Sequence, residues 1–147
     1  MAFRLQRVAR VRARQRELRS SELQERRARL SQLEAELVDT RAAGDRYLRE
    51  EAQRAKGGSL DEATFRFGRS WVRALGRREA DLTVAIEDAR TAVEEKRLEL
   101  VDARREEQKL ERLEERHEAR ARDEELRRTQ EGLDEFSLQA RLRVAEG

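Results

Sequence analysis

His117 is the only histidine of the 147-residue chain, which contains no cysteine. A general base or a metal ligand needs partners at fixed spacing. His117 has only Glu114 and Glu118 nearby, and any highly charged helix supplies such neighbours. Without a thiol there is no disulfide framework, no thiolate zinc site and no thiol nucleophile. Gly57-Gly58-Ser59 is glycine-rich but lacks the lysine and the spacing of a phosphate loop. The carboxylates have arginines at helical spacing, as in Glu115 with Arg112 and Asp123 with Arg127. Such pairs are solvated salt bridges, each contributing about a few tenths of a kcal/mol. The residues therefore predict no enzyme, no cofactor, no metal and no small-molecule ligand.

The composition favours binding over catalysis. Charged residues make up 45% of the chain, hydrophobic residues 37% and aromatics 4%, with no proline. That apolar content is too small for a thick globular core but sufficient for a narrow seam between two helices. Proline-free sequence rich in Glu, Arg, Leu and Ala can remain helical over long stretches. The formal net charge is only +2 and the leucines are periodic, which argues for helix against disorder. No apolar run reaches the ~18 residues of a membrane span. The basic N-terminus lacks the apolar region of a signal peptide. A cytoplasmic protein is expected.

The expected fold is all-α: a long two-helix antiparallel coiled-coil hairpin with an overhanging C-terminal helix. It forms one coiled-coil domain over 1–147, with helix 1 over about 3–55, a turn at 56–59 and helix 2 over about 60–143. Leu23, Leu30 and Leu37 recur every seven residues, and Leu33 supplies a second seam position. Val8, Val11, Gln15 and Leu18 follow a separate three-four rhythm, which implies a stutter between Leu18 and Leu23. Gly44 falls where the next heptad leucine belongs, and Tyr47 resumes the seam. Gly57 and Gly58 end the first helix. Ser59 with Glu62 reads as a capping box that starts the second. There the seam runs Leu82, Ile86, Ala89, Val93, Lys96, Leu100, Ala103, Glu107 and Leu110. Gly68 and Gly76 predict a close backbone approach or a bend. Folding about Gly58 opposes residue i to residue 116 − i, so Phe3 meets Leu113. Residues 114–143 then extend beyond helix 1 as about 45 Å of single helix.

Three surfaces stand out as partner sites. Residues 1–20 hold seven arginines, among them Arg4, Arg7, Arg10 and Arg14, against one acid, Glu17. From Arg104 to Arg128 the signs balance, nine against nine. The basic arm suits an acidic groove or another anionic surface. Leu126, Leu133, Phe136 and Ala140 form an apolar stripe on the overhang, which needs a partner because an isolated helix of that length is marginal in water. Phe67, Trp71 and Leu75 lie four apart on one face near the turn, with Tyr47 and Leu48 on the opposing helix. They read either as seam packing or as a docking patch.

The chain resembles the flagellar type III export protein family FliJ, with injectisome counterparts of the YscO type as more distant relatives. The residues that carry the resemblance are Phe3-Arg4-Leu5-Gln6-Arg7-Val8 at the start, the glycine turn near residue 58, and Leu133-Asp134-Glu135-Phe136 before a basic end. The resemblance implies a two-helix coiled coil similar to the central stalk of rotary ATP synthases, seated in the pore of a hexameric export ATPase. It also implies contacts with the export gate membrane protein and with export chaperones, and peripheral association with the inner membrane through the export apparatus. Carried over, Arg4, Arg7, Arg10, Arg14, Leu126, Leu133, Asp134, Glu135 and Phe136 would meet the ATPase ring. Tyr47, Leu48, Phe67, Trp71 and Leu75 would face the gate. The arginine density of residues 4–19 departs from the family pattern, so no single ring-binding arginine follows from a motif.

Two other classes compete. One is a purely structural spacer. The other is a basic-helix DNA binder, since an arginine-rich segment followed by Leu23, Leu30 and Leu37 superficially resembles a basic-zipper helix. Leu5, Val8 and Val11 within the basic region, and the lack of an asparagine to read adenine, argue against DNA. No nucleic-acid partner is expected.

Overall fold

A computed structural model describes residues 2–58 and 61–146, with only the backbone described for Ala2 and Phe3. Two helices account for nearly all of it: α1, Ala2–Lys56, and α2, Glu62–Glu146. The fold is an all-α helical hairpin, and no strand occurs among the described residues. Ser59 and Leu60, which the sequence assigned to the capping box, lie outside the described residues. At the start of α2 the Thr64 N–H donates to Asp61 Oδ1 at 2.7 Å, so Asp61 caps one of the orphan amides of the first turn. Hydrogen bonding from the Thr64 side chain, and then from this backbone N–H, holds the Asp61 carboxyl below its usual range. At the end of α1 the Gly58 N–H donates to the Ala55 carbonyl at 3.3 Å. Gly58 has φ of +67°, the left-handed conformation a helix-ending glycine supplies without a Cβ clash. Arg54 and Lys56 in the last turn of α1 complement its dipole.

The chain divides into two compact units. In the first, Arg16–Asp102, the two helices run antiparallel around a narrow core of Leu33, Leu82 and Ile86. Leu30, Leu37, Ala85 and Ala89 pack against it. Leu23 and Leu100 are buried farther along the same seam. Ion pairs between the helices flank the core: Arg41 to Glu79 at 2.8 Å, Arg78 to Glu36 at 2.9 Å and Arg90 to Glu34 at 3.7 Å.

The seam position expected to be polar is a closed charge cluster. Lys96 Nζ donates to Glu22 at 3.1 Å and to Glu99 at 3.2 Å. Arg19 reaches the same two carboxylates, Glu99 at 3.0 Å and Glu22 at 3.4 Å. Each carboxylate is shared by two cations from both helices. The pairs Arg19–Glu99 and Glu22–Lys96 lie two residues past the expected register of i to 116 − i.

In the second unit, residues 1–15 with 103–147, Ala9, Arg10 and Ala13 of α1 face Glu107, Leu110, Glu111 and Glu114 of α2 across a shallow groove. Val8 and Val11 do not belong to this packing. They are exposed, as are Gln15 and Leu18 in their respective units. The partly buried α1 positions up to residue 20 are instead Leu5, Ala9, Arg12, Ala13, Arg16, Arg19 and Ser20. Ala9 and Arg16 continue the seven-residue step of Leu23, Leu30 and Leu37 backwards without interruption. The expected stutter is therefore absent: the partly buried positions keep one seven-residue step, and the Val8–Leu18 rhythm faces solvent.

Candidate partner-binding surfaces

In the turn-proximal unit, Gly68 is buried on the face of α2 that meets α1. Tyr47 crosses to cover it: a Cβ on residue 68 would overlap the Tyr47 hydroxyl and lie 2.6 Å from its Cζ. Gly68 therefore marks the close approach anticipated in the sequence, and Tyr47 is a packing residue with a partly exposed ring. Gly76 has open space around it. Leu75 fills the gap left at Gly44, its Cδ1 3.9 Å from where a Cβ would stand.

The remaining aromatic and apolar residues divide between two flanks of the seam. Phe67 is 72% exposed and Trp71 45%, on one flank. Phe65 is two residues from Phe67, about 200° around the helix, and so lies on the other. There Leu48, Phe65 and Val72, with Glu51, Arg69 and Arg73, line a groove of about 350 Å³. The Arg69 guanidinium stands 5.1 Å from the Phe65 ring centre, a cation–π contact. An adjoining groove of about 370 Å³ contains Leu48, Val72, Leu75, Gly44 and Gly76. The structure thus joins Leu48 with Leu75 and leaves Phe67 and Trp71 outside both grooves. Phe65, Arg69, Val72 and Arg73 were missed in the sequence. Their four-three spacing from Phe65 to Arg69 to Val72 was the signal, masked by the stronger spacing of Phe67, Trp71 and Leu75.

In the other unit, Arg4, Arg7, Arg10 and Arg14 are exposed, with Val8 and Val11 among them. From residue 115 to 146 every residue of α2 is exposed except Glu124, which is partly buried. Leu126, Leu133 and Phe136 are 68%, 57% and 71% exposed, and Leu138, Leu142 and Val144 extend the apolar surface. Arg127 pairs with Glu124 at 2.8 Å and with Glu131 at 3.6 Å, the carboxylates three before and four after it, whereas the sequence suggested Asp123. Hydrogen bonding from Arg127 holds the Glu124 carboxyl below its ordinary range. Asp134 accepts from Gln130 at 3.4 Å, and Glu135 is exposed. His117 is exposed too.

The candidate surfaces are exposed apolar stripes on two long helices, and no group of three or more metal-ligating side chains occurs among the described residues. The family described as Flagellar FliJ protein matches residues 1–146. The chain belongs to the FliJ family. No match was found among curated proteins or among solved structures. Membership of the FliJ family makes the chain a component of the flagellar export apparatus, a role that implies protein partners. No described helix is long and apolar enough to cross a membrane.

Proposed function

We propose that this FliJ-family chain is a coiled-coil stalk for the hexameric export ATPase ring and links that ring to the export gate. The observation that carries the reading is the exposed stripe of Leu126, Leu133 and Phe136, on a stretch of α2 whose flanks meet no segment of α1 among the described residues. Burial of these apolar side chains against a pore lining would contribute about 25 cal/mol per Å² of apolar surface covered. The arginines of the arm, Arg4, Arg7, Arg10 and Arg14, would meet acidic loops at the pore mouth, chiefly raising the association rate and making it salt-sensitive. Asp134 and Glu135 would orient the stripe through rim contacts.

At the turn-proximal end, Trp71 and Phe67 on one flank and Leu48 with Leu75 on the other would dock the export gate, with Tyr47 holding the helices together beneath them. Chaperone handling would use the same exposed surfaces. The protein would work in the cytoplasm, held at the inner membrane through the apparatus. Photo-crosslinkers at Phe136 and Leu126 test the ring assignment: they should capture the ATPase, while crosslinkers at Phe67 should capture the gate. Capture of the ATPase from Phe67 and not from Phe136 would reverse the two ends.

A further inference from the structure

The first turn of α1 has no acidic residue and holds Arg4 instead. A helix N-terminus carries about half a positive charge, so cations there oppose the local helix rather than stabilise it. Val8 and Val11, 41% and 54% exposed, lie among exposed Arg4, Arg7, Arg10 and Arg14 and give this arm a basic, partly apolar outer surface. The same unit contains a face of complementary composition. Residues 123–136 hold six acids against two arginines, around Leu126, Leu133 and Phe136.

These two faces cannot meet within one chain. Arg12 lies near Glu106, which places the start of α1 level with about residue 116 of α2. Beyond that level α2 continues as one helix to Glu146 and does not turn back. The acidic apolar stripe is therefore carried away from its own basic apolar arm. A second copy, running in the opposite direction, brings its arm alongside the stripe and offers its own stripe in return.

We propose that two copies of this chain associate through these faces, the Leu126–Phe136 stripe of each against the Val8–Val11 arm of the other. Two equivalent contacts close the pair with two-fold symmetry, so no open chain of copies forms. Apolar side chains supply the contact, and the opposite charges select the partner and its direction. The dimer covers the surfaces assigned above to the ATPase ring, so dimer and ring compete for the same chain.

Sedimentation velocity of the full chain without ATPase tests this, and its outcome is independent of whether the ring reading holds. The wild type should be dimeric at low salt and dissociate as salt rises through about 0.5 M. Arg4→Glu with Arg14→Glu should weaken self-association about tenfold or more, as should Asp123→Arg with Glu135→Arg. All four side chains are exposed, so helicity by circular dichroism should be unchanged. An equimolar mixture of the two double variants restores opposite charges at both contacts and should dimerise as the wild type does. A wild type monomeric at low salt would overturn the proposal, as would a dimer indifferent to both variants or a mixture no tighter than its components. A monomer that binds anionic vesicles through Arg4 and Arg14 would also overturn it, in favour of a lipid surface.

Discussion

Tyr47 lies against the bare Cα of Gly68, with its Cζ where a Cβ on residue 68 would come within 2.6 Å. The two residues form a lock between α1 and α2 in the turn-proximal unit. Two opposing effects decide what Gly68→Ala does. Alanine gains about 1 kcal/mol of helix propensity. Displacing the Tyr47 ring from its seat costs about 1–3 kcal/mol. Gly68→Ala should therefore lower stability by about 1 kcal/mol, and the same change in a Tyr47→Ala background should raise it. Gly76→Ala, with open space around residue 76, should be stabilising by about 1 kcal/mol. Urea unfolding of the four variants and the wild type measures all three signs. A destabilising Gly68→Ala that persists without Tyr47 would remove the lock from the account.

The charge cluster at Lys96 predicts a pH profile. Hydrogen bonding from Lys96, then its charge and that of Arg19, lowers the Glu22 carboxyl from an ordinary value of 4.5. Hydrogen bonds to Glu22 and then Glu99 raise Lys96 above 10.5. A lowered carboxylate stabilises fully above its ordinary value and loses that contribution as pH falls through the lowered one. A raised lysine stabilises fully below its ordinary value and loses it as pH rises past the raised one. The melting temperature should hold a plateau between about pH 5 and 10, with a fall on either side. Lys96→Met should flatten the alkaline fall and reduce the salt dependence of melting. An alkaline limb unchanged in Lys96→Met would assign that limb to other lysines.

The division of the turn-proximal residues separates docking from packing. Trp71→Ala should weaken gate binding about tenfold or more with helicity intact, since its side chain is half exposed and lines neither groove. Tyr47→Ala should instead lower thermal stability, with any loss of gate binding following from it. Isothermal titration with the gate's cytoplasmic part, beside thermal melts, distinguishes the two. Equal loss of binding and stability in Trp71→Ala would make Trp71 a packing residue.

The helical hairpin was legible because leucines at Leu23, Leu30 and Leu37 and the run from Leu82 to Leu110 declare their period openly, and because Gly57 and Gly58 punctuate the chain. The N-terminal seam was not legible in the same way. Ala9, Arg12, Arg16 and Arg19 occupy it, and a pattern of apolar letters passes over partly buried arginines. Val8, Val11 and Leu18, the apolar letters of this stretch, lie instead on the exposed face. The Tyr47–Gly68 lock depends on one ring meeting a missing Cβ across the hairpin, a fit of shape that the spacing of apolar letters does not display. The exposed stripe of Leu126, Leu133 and Phe136 was legible from arithmetic alone, since α2 is longer than α1.

On the proposed stalk reading, the part of α2 beyond α1 would carry ATPase binding. A chain truncated after Glu114 retains every buried residue among those described, Leu23, Leu33, Gly68, Leu82, Ile86 and Leu100, all within Arg16–Asp102. It should fold with the hairpin's helicity and melting temperature, yet lose binding to the export ATPase and any stimulation of ATP hydrolysis. Measurement of ATPase binding by this truncated chain beside the full chain is the direct test. A truncated hairpin that binds and stimulates the ATPase as well as the full chain does would contradict the account.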